Sequence, residues 1–312
     1  MKGNSKNLID FIDPKSRKIK EKKHDHHLSL ESNSLFQPHT LMLDLFRLKL
    51  LSPAIDNCSY NKGYREYLIF DYRSNKEILV PSVTSYLKQL TKDGLDVWQD
   101  TVSKERQEKI LDLSQKVGEL VHFQCLQYFV EKNRNLPLKQ DPPSFIFEID
   151  EHELLNYTKY LKNAWYLFEN FLEAINFFHL KFEIIDIETL CYNLDYMYAG
   201  RFDFLFILWE FGEPILCVGD IKTSKMLYES VGAQLEAYRK ALHYMRDHDL
   251  LPSHIIQAVE KAGINFEIKR LYELRIHTGT TSDDYHSDFV QVKPLWNEFT
   301  KCIELFNSKQ KD

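Results

Sequence analysis

Apolar positions recur along this chain with two periods, two and about 3.6, and the switches between them mark out its elements. YREYLIFDY (64–72) and KEILV (76–80) read as strands joined at RSNK in a hairpin. Pro81 ends the second strand, and Ser82 or Thr84 can cap the helix that follows within PSVTSYLKQLTKDGLDVW (81–98). Ile110, Leu113, Val117, Leu120 and Val121 place a long helix over about 103–132. After a loop at NLPLKQDPPSF, Asp150 with Glu153 makes a D-x-x-E start. Leu154, Tyr157, Leu161, Trp165, Phe168, Leu172 and Ile175 then stripe a second helix to about 179, and the stripe reads as core packing. KFEIIDIETL is a strand, and two more, about 198–209 and 215–223, flank the turn EFGEP with its Gly212 and Pro214. A helix at ESVGAQLEAYRKALHYMRDH, one or two strands at INFEIKRLYELRIHTG and a helix at VKPLWNEFTKCIELFN complete the pattern. Upstream, TLMLDLFRLKLL (40–51) predicts a short helix ended by Ser52–Pro53.

The strand pair around EFGEP breaks its own pattern. Arg201, Asp203, Asp220 and Lys222 stand inside apolar runs, and buried charge is costly unless paired or bound to metal. In ILCVGDIK, Leu216, Val218, Asp220 and Lys222 share one strand face, and Ile215, Cys217, Gly219 and Ile221 share the other. Asp203 shares a face with Leu205, Ile207 and Trp209, so a hairpin brings Asp203 and Asp220 to the same end of a sheet. Two carboxylates that close repel unless a cation lies between them, and a hard divalent ion such as Mg²⁺ suits oxygen ligands. A structural Asp–Lys salt bridge at a strand end is the alternative on these two residues alone.

Composition narrows the class. A chain of 312 residues with 44% hydrophobic content builds one large domain or two small ones around a sizeable core. The net charge of -6 argues against a protein coated in basic surface but leaves room for a local basic groove. No apolar run approaches the roughly 20 residues that cross a bilayer, and the N-terminus lacks a secretory h-region. Cys58, Cys125, Cys191, Cys217 and Cys302 form no CxxC or Cys/His cluster, so the expectation is free thiols in a reducing cytoplasm. The first 40 residues carry the charge run KSRKIKEKKHDHH and read as a disordered tail, or less readily as a nucleic-acid arm. His26 and His27 beside Asp25 are a weak metal candidate there.

Five short signals in order then resemble the RecB-like branch of the PD-(D/E)xK nuclease superfamily. They are GELVH (Gly118 to His122), GRFD (Gly200 to Asp203), DIKTS (Asp220 to Ser224), QLEAY (Gln234 to Tyr238), and PSVTSYL with GLDVW upstream. The last is similar to segments of phage-type members and of the mitochondrial genome maintenance exonuclease. The resemblance covers roughly residues 77 to 306. It implies an α/β fold with a restriction-endonuclease-like core, a central mixed β-sheet flanked by helices, and helical N-terminal additions. The expected division is a polar tail at 1–40, an N-terminal helix and hairpin start at 41–75, and a nuclease domain at 76–312.

The same resemblance assigns roles. Asp203, Asp220, the carbonyl of Ile221 and His122 would hold Mg²⁺ or Mn²⁺, and Lys222 would orient or activate water and stabilise charge on the phosphate. Glu188 would be an upstream acid, with Glu119 a weaker rival. Gln234 and Tyr238, at i and i+4 on one helix face, would contact the phosphate backbone or brace the site. Ser82 and Thr84 would lie near the DNA strand unless they only cap a helix, and Arg201, Thr223 and Ser224 complete the DNA-facing set.

The expected function is a metal-dependent DNA nuclease, an exonuclease on single-stranded ends that hydrolyses phosphodiesters with a metal-activated water. Tyr86, Trp98, Phe123, Tyr128 and Trp165 could stack on bases but read first as core. The alternatives are a catalytically silent nucleic-acid-binding or recombination accessory protein on the same fold, and a restriction-type endonuclease. The expected setting is the cytoplasm of a bacterial or phage-infected cell, with replication or recombination proteins as partners and no membrane. No helicase motif is present, so a motor would be a separate chain.

Overall fold

Period-two alternation produces strands between residues 181 and 222: Lys181–Ile187, Phe204–Glu210 and Glu213–Lys222 join one central sheet, while Leu190–Asn193 and Tyr198–Arg201 pair with each other. The computed structural model describes residues 58–61, 64–90, 102–132, 143, 151–177, 180–225, 228–277 and 286–310. In chain order the elements are β1 Cys58–Asn61, β2 Tyr64–Asp71, β3 Lys76–Pro81, α1 Val83–Leu87, α2 Lys104–Lys132, α3 Glu151–Phe177, β4 Lys181–Ile187, β5 Leu190–Asn193, β6 Tyr198–Arg201, β7 Phe204–Glu210 and β8 Glu213–Lys222. They continue as α4 Glu229–Asp247, α5 Ser253–Lys261, β9 Ile268–His277, β10 His286–Gln291 and α6 Trp296–Lys309. The fold is α/β. A five-stranded sheet of order β10-β9-β8-β7-β4 is antiparallel except for the parallel pair β8–β9, so it is mixed. A parallel pair needs a long crossover, here supplied by α4 and α5.

The sheet separates two cores. Phe204, Phe206, Cys217 and Ile221 face α2 and α3, where Phe129, Phe168 and Phe171 fill the layer. Leu205, Ile207, Leu216 and Val218 face α4, α5 and α6. The two faces of β8 are those its alternation predicts. The second core also takes in the hairpin β5–β6 and the inner face of the sheet β1-β2-β3, through Cys191, Tyr198, Tyr67, Ile69 and Val80. The boundary expected at 75/76 falls in the turn between β2 and β3, whose strands pair from Asp71–Lys76 to Glu66–Pro81.

Several expectations change. Within the described residues the N-terminal addition is this three-stranded sheet rather than helical; the helix expected at 40–51, the tail with Asp25, His26 and His27, and Asp150 lie outside them. The helix after Pro81 ends at Leu87, with Ser82 accepting the Ser85 N–H at 3.0 Å as its cap. Trp98 and the rest of GLDVW lie outside the described residues. In α2 only the turns from Val117 onward are packed, while Ile110, Leu111 and Leu113 are exposed, so the predicted stripe is core for half its length. Helix α5 and strand β10 arise where the periodicity marks no element. Cys125, Cys191, Cys217 and Cys302 are buried free thiols. No helix among the described residues is long and apolar enough to cross a membrane.

Candidate active site

The strand expected over 198–209 is broken at Phe202–Asp203, and the break builds the site. β6 pairs with β5, whereas β7 pairs with β8 from Phe204–Gly219 down to Glu210–Glu213. One step beyond Phe204–Gly219, this register sets Asp203 opposite Asp220. Instead of a backbone rung, the Ile221 N–H donates to Asp203 Oδ2 at 2.5 Å. The Glu188 N–H, in the turn after β4, donates to the Asp203 carbonyl at 3.1 Å. Asp220 is buried, its Oδ2 ion-paired with the Lys222 ammonium although it accepts no well-angled hydrogen bond. Asp203, Asp220 and Lys222 therefore meet at one end of the central sheet.

Helices bring the other groups. His122 reaches in from α2, its Nδ1 3.3 Å from Asp203 Oδ2 and its ring bonded to the Ile221 backbone. One turn earlier, a Cβ on Gly118 would lie 3.2 Å from Thr223 Oγ1, so a small residue lets α2 close on the end of β8. From α4, Gln234 Nε2 donates to Asp220 Oδ1 at 3.0 Å and to the Tyr238 hydroxyl at 3.0 Å. Tyr238 lies over Gly200, where an added Cβ would stand 2.6 Å from Tyr238 Cε1. Four of the five short signals, GELVH, GRFD, DIKTS and QLEAY, thus each supply a contact of this cluster.

Burial shifts the charges. Asp203 is raised well above the usual carboxylate range by burial and then by Asp220, against Lys222 and the Ile221 N–H. For Lys222, burial acts downward, but Asp220 and Asp203 outweigh it and the amine is raised, so it is an ammonium at neutral pH. His122 is lowered by burial and by Lys222, which keeps its imidazole neutral. Glu188 is pushed up to about 7 by burial and by Asp203. Its φ of 48° is left-handed backbone, a strained conformation for a non-glycine residue.

No protein-family model matches this chain, and no curated protein matches it in sequence. The site has to be read from its own geometry.

As the side chains stand, no three His, Cys, Asp or Glu residues among those described form a ready-made cage for an ion. Asp203 Oδ2 takes the Ile221 N–H and Asp220 Oδ2 takes the Lys222 ammonium. Gln234 and Tyr238 are buried and bonded to each other, which makes them braces of Asp220 rather than a surface for DNA. Ser82 is likewise buried and committed, through Ser85 and Thr84, to the cap of α1; Thr84 is exposed. Arg201 ends β6, half-buried, near Glu188. Thr223 and Ser224 are half-buried where the chain leaves β8. Glu119 accepts a hydrogen bond from Gln115 at 2.9 Å. Tyr86, Phe123 and Trp165 are core, and Tyr128 packs against it.

The sequence reading missed Glu273. It lies on β9 directly beside Asp220, fully buried, with neither oxygen hydrogen-bonded. Arg275 Nε, 3.6 Å away, is its counter-charge. The available signal was the charge alternation Glu273, Arg275 repeating Asp220, Lys222 on a neighbouring strand.

Proposed function

We propose that this chain is a metal-dependent DNA nuclease of the RecB-like PD-(D/E)xK kind, acting on single-stranded ends, with its five-stranded sheet as a restriction-endonuclease-like core. The observation that carries the reading is the convergence of Asp203, Asp220, Lys222 and His122 at one sheet end, beside the Ile221 backbone. The donor set fits Mg²⁺ or Mn²⁺: two buried carboxylates, a peptide carbonyl and a neutral imidazole, with Asp220 Oδ2 short of a hydrogen bond. Asp203, Asp220, His122 and the Ile221 carbonyl would hold the ion, with Glu188 alongside. When bound, such an ion supplies Lewis-acid polarisation of the phosphate and acidifies water.

The chain's own groups divide the remaining work. Lys222, protonated, acts as a fixed positive charge beside the phosphate and does not take a proton. Glu188, whose N–H is bonded to the Asp203 carbonyl, would stand beside the ion as a ligand directly or through water. Gln234 and Tyr238 hold Asp220 in its rotamer. The ion pair Lys222–Asp220 also favours a second reading, a catalytically silent nucleic-acid binder in which that pair is structural. Single- and double-stranded DNA labelled at the 5′ or 3′ end, incubated with Mg²⁺, Mn²⁺ or EDTA, separates the two. Asp203→Asn and Lys222→Ala should each lose about 10²–10³ in cleavage rate. Mn²⁺ should raise the melting temperature of the wild type and not of Asp203→Asn. Near-normal cleavage by either variant overturns the assignment, and strand binding without cleavage establishes the silent reading.

A further inference from the structure

The three-stranded sheet β1-β2-β3 lies outside the central sheet, yet backbone bonds tie its second strand to β6, the strand that leads into the site. Arg65, second residue of β2, is fixed through its backbone at three points. Its carbonyl accepts the Ser82 N–H at 2.8 Å and the Ser85 hydroxyl at 3.0 Å, and its N–H donates to Ser85 Oγ at 2.9 Å. Ser82 in turn bridges to Ala199 of β6. Arg65, Ser82 and Ala199 therefore form one row across three strands, and Arg201 stands two residues beyond Ala199, on the same side of its strand. The Arg65 guanidinium lies over the ring of Tyr67, 5.0 Å from its centroid. Tyr67 is on the inner face of β2, in the same buried core as Tyr238, the brace of Asp220.

We propose that Arg65 and Arg201 form a phosphate-binding pair that seats the backbone of the nucleic-acid strand beside the Asp203–Asp220 site, with the serines of the PSVTS segment acting as the lock on Arg65. The inference rests on the nuclease reading and extends it to the substrate. Two guanidiniums on a frame held by backbone bonds offer forked donors that match phosphate oxygens. Arg201 stands two residues before Asp203, and the row through Ser82 and Ala199 ties Arg65 to the same strand. A chain of net charge -6 has little broad attraction for a polyanion, and a local pair of this kind supplies it where it is needed. It also gives the N-terminal sheet a function and explains why Ser82 and Ser85 are buried yet polar.

The test is binding without cleavage. Fluorescence anisotropy of a labelled single-stranded oligonucleotide, in EDTA and across a salt titration, is measured for the wild type, Arg65→Gln, Arg65→Lys and Arg73→Gln. Each phosphate contact contributes about 0.7 to the slope of log affinity against log salt for a single strand. Arg65→Gln should lower the slope by about that amount, whatever the base sequence, while Arg65→Lys retains it. Arg73, bonded to Asp71 and Asp195, serves as the control and its replacement should leave the slope unchanged. Thermal melts of the variants confirm that they are folded. A wild-type slope in Arg65→Gln overturns the phosphate pair and leaves the nuclease reading standing. A wild type that binds no nucleic acid overturns both.

Discussion

Glu273 offers the most direct measurement of what the charged end of the sheet costs. The carboxyl is fully buried, unbonded, and beside Asp220 in the parallel register of β8 and β9. Burial pushes it up to about 7 from an ordinary 4.5; Arg275 opposes the shift and Asp220 adds to it. Between those two values the native state holds a proton that the unfolded chain has lost. Stability is therefore highest below the unfolded value and falls as pH rises through the folded one. A shift of that size corresponds to about 3 kcal/mol of stability lost on the alkaline side. Glu273→Gln removes the titration while keeping the shape of the protonated acid. In urea unfolding with EDTA present, it should match the wild type within about 1 kcal/mol near pH 5 and exceed it by up to about 3 kcal/mol near pH 8. A difference that is the same at both pH values, or a variant less stable at the higher one, would refute the account of Glu273 as an inadequately compensated buried acid.

Two further outcomes follow from local geometry. Gly200→Ala places a methyl 2.6 Å from Tyr238 Cε1 and 3.3 Å from Val83 Cγ2, so it should cost about 1–3 kcal/mol in a thermal melt; an unchanged melt would mean that Tyr238 is free to shift. Phe211 is 96% exposed at φ 52° in the two-residue turn between Glu210 and Glu213, where asparagine is more at ease. Phe211→Asn should stabilise by up to about 1 kcal/mol in urea unfolding, and a loss of stability would show that the ring makes a contact worth more than the strain.

What could be read from the sequence was whatever depends on period alone. The long helices α2 and α3, the β7–β8 hairpin and the division of β8 into two faces follow from spacing, and spacing survives folding. The short signals were legible for a related reason. Gly118 with His122, and Gln234 with Tyr238, each stand one helical turn apart, so each pair must share a helix face. What was illegible depends on which strands become neighbours. Glu273 and Arg275 alternate with Leu274 and Ile276 and look like the wet face of a strand; only the parallel pairing with β8 buries Glu273 under α4's side of the sheet. Arg65 gave no signal because its place is fixed by Ser82 and Ser85, seventeen and twenty residues on in the chain. Gln234 and Tyr238 carried two readings, contact or brace, and burial selects the brace. The exposed first half of α2 shows the reverse error, in which a correct period overstates how much of a helix is packed.

The energetic logic of the molecule is uneven in a way that bears on function. On both faces of the sheet, core residues are interchangeable contributors of apolar area, and a substitution is felt in proportion to the volume it removes. At one end, four acidic groups behave otherwise: Asp203, Glu188 and Glu273 are raised out of their ordinary range, and Asp220 depends on Lys222 and Gln234. A left-handed residue at 188 and an ion pair at the strand end add to the cost. A chain that needed only a stable sheet would place leucine or valine at these positions and gain stability, since buried ion pairs are often neutral or unfavourable against apolar packing. The concentration of such costs where α2, α4, β6 and β8 meet is what distinguishes a site from a fold. The burial of Asp203, Asp220 and Glu273 and the left-handed backbone at 188 belong to the geometry, and the proposed cation and phosphate chemistry would give them a use.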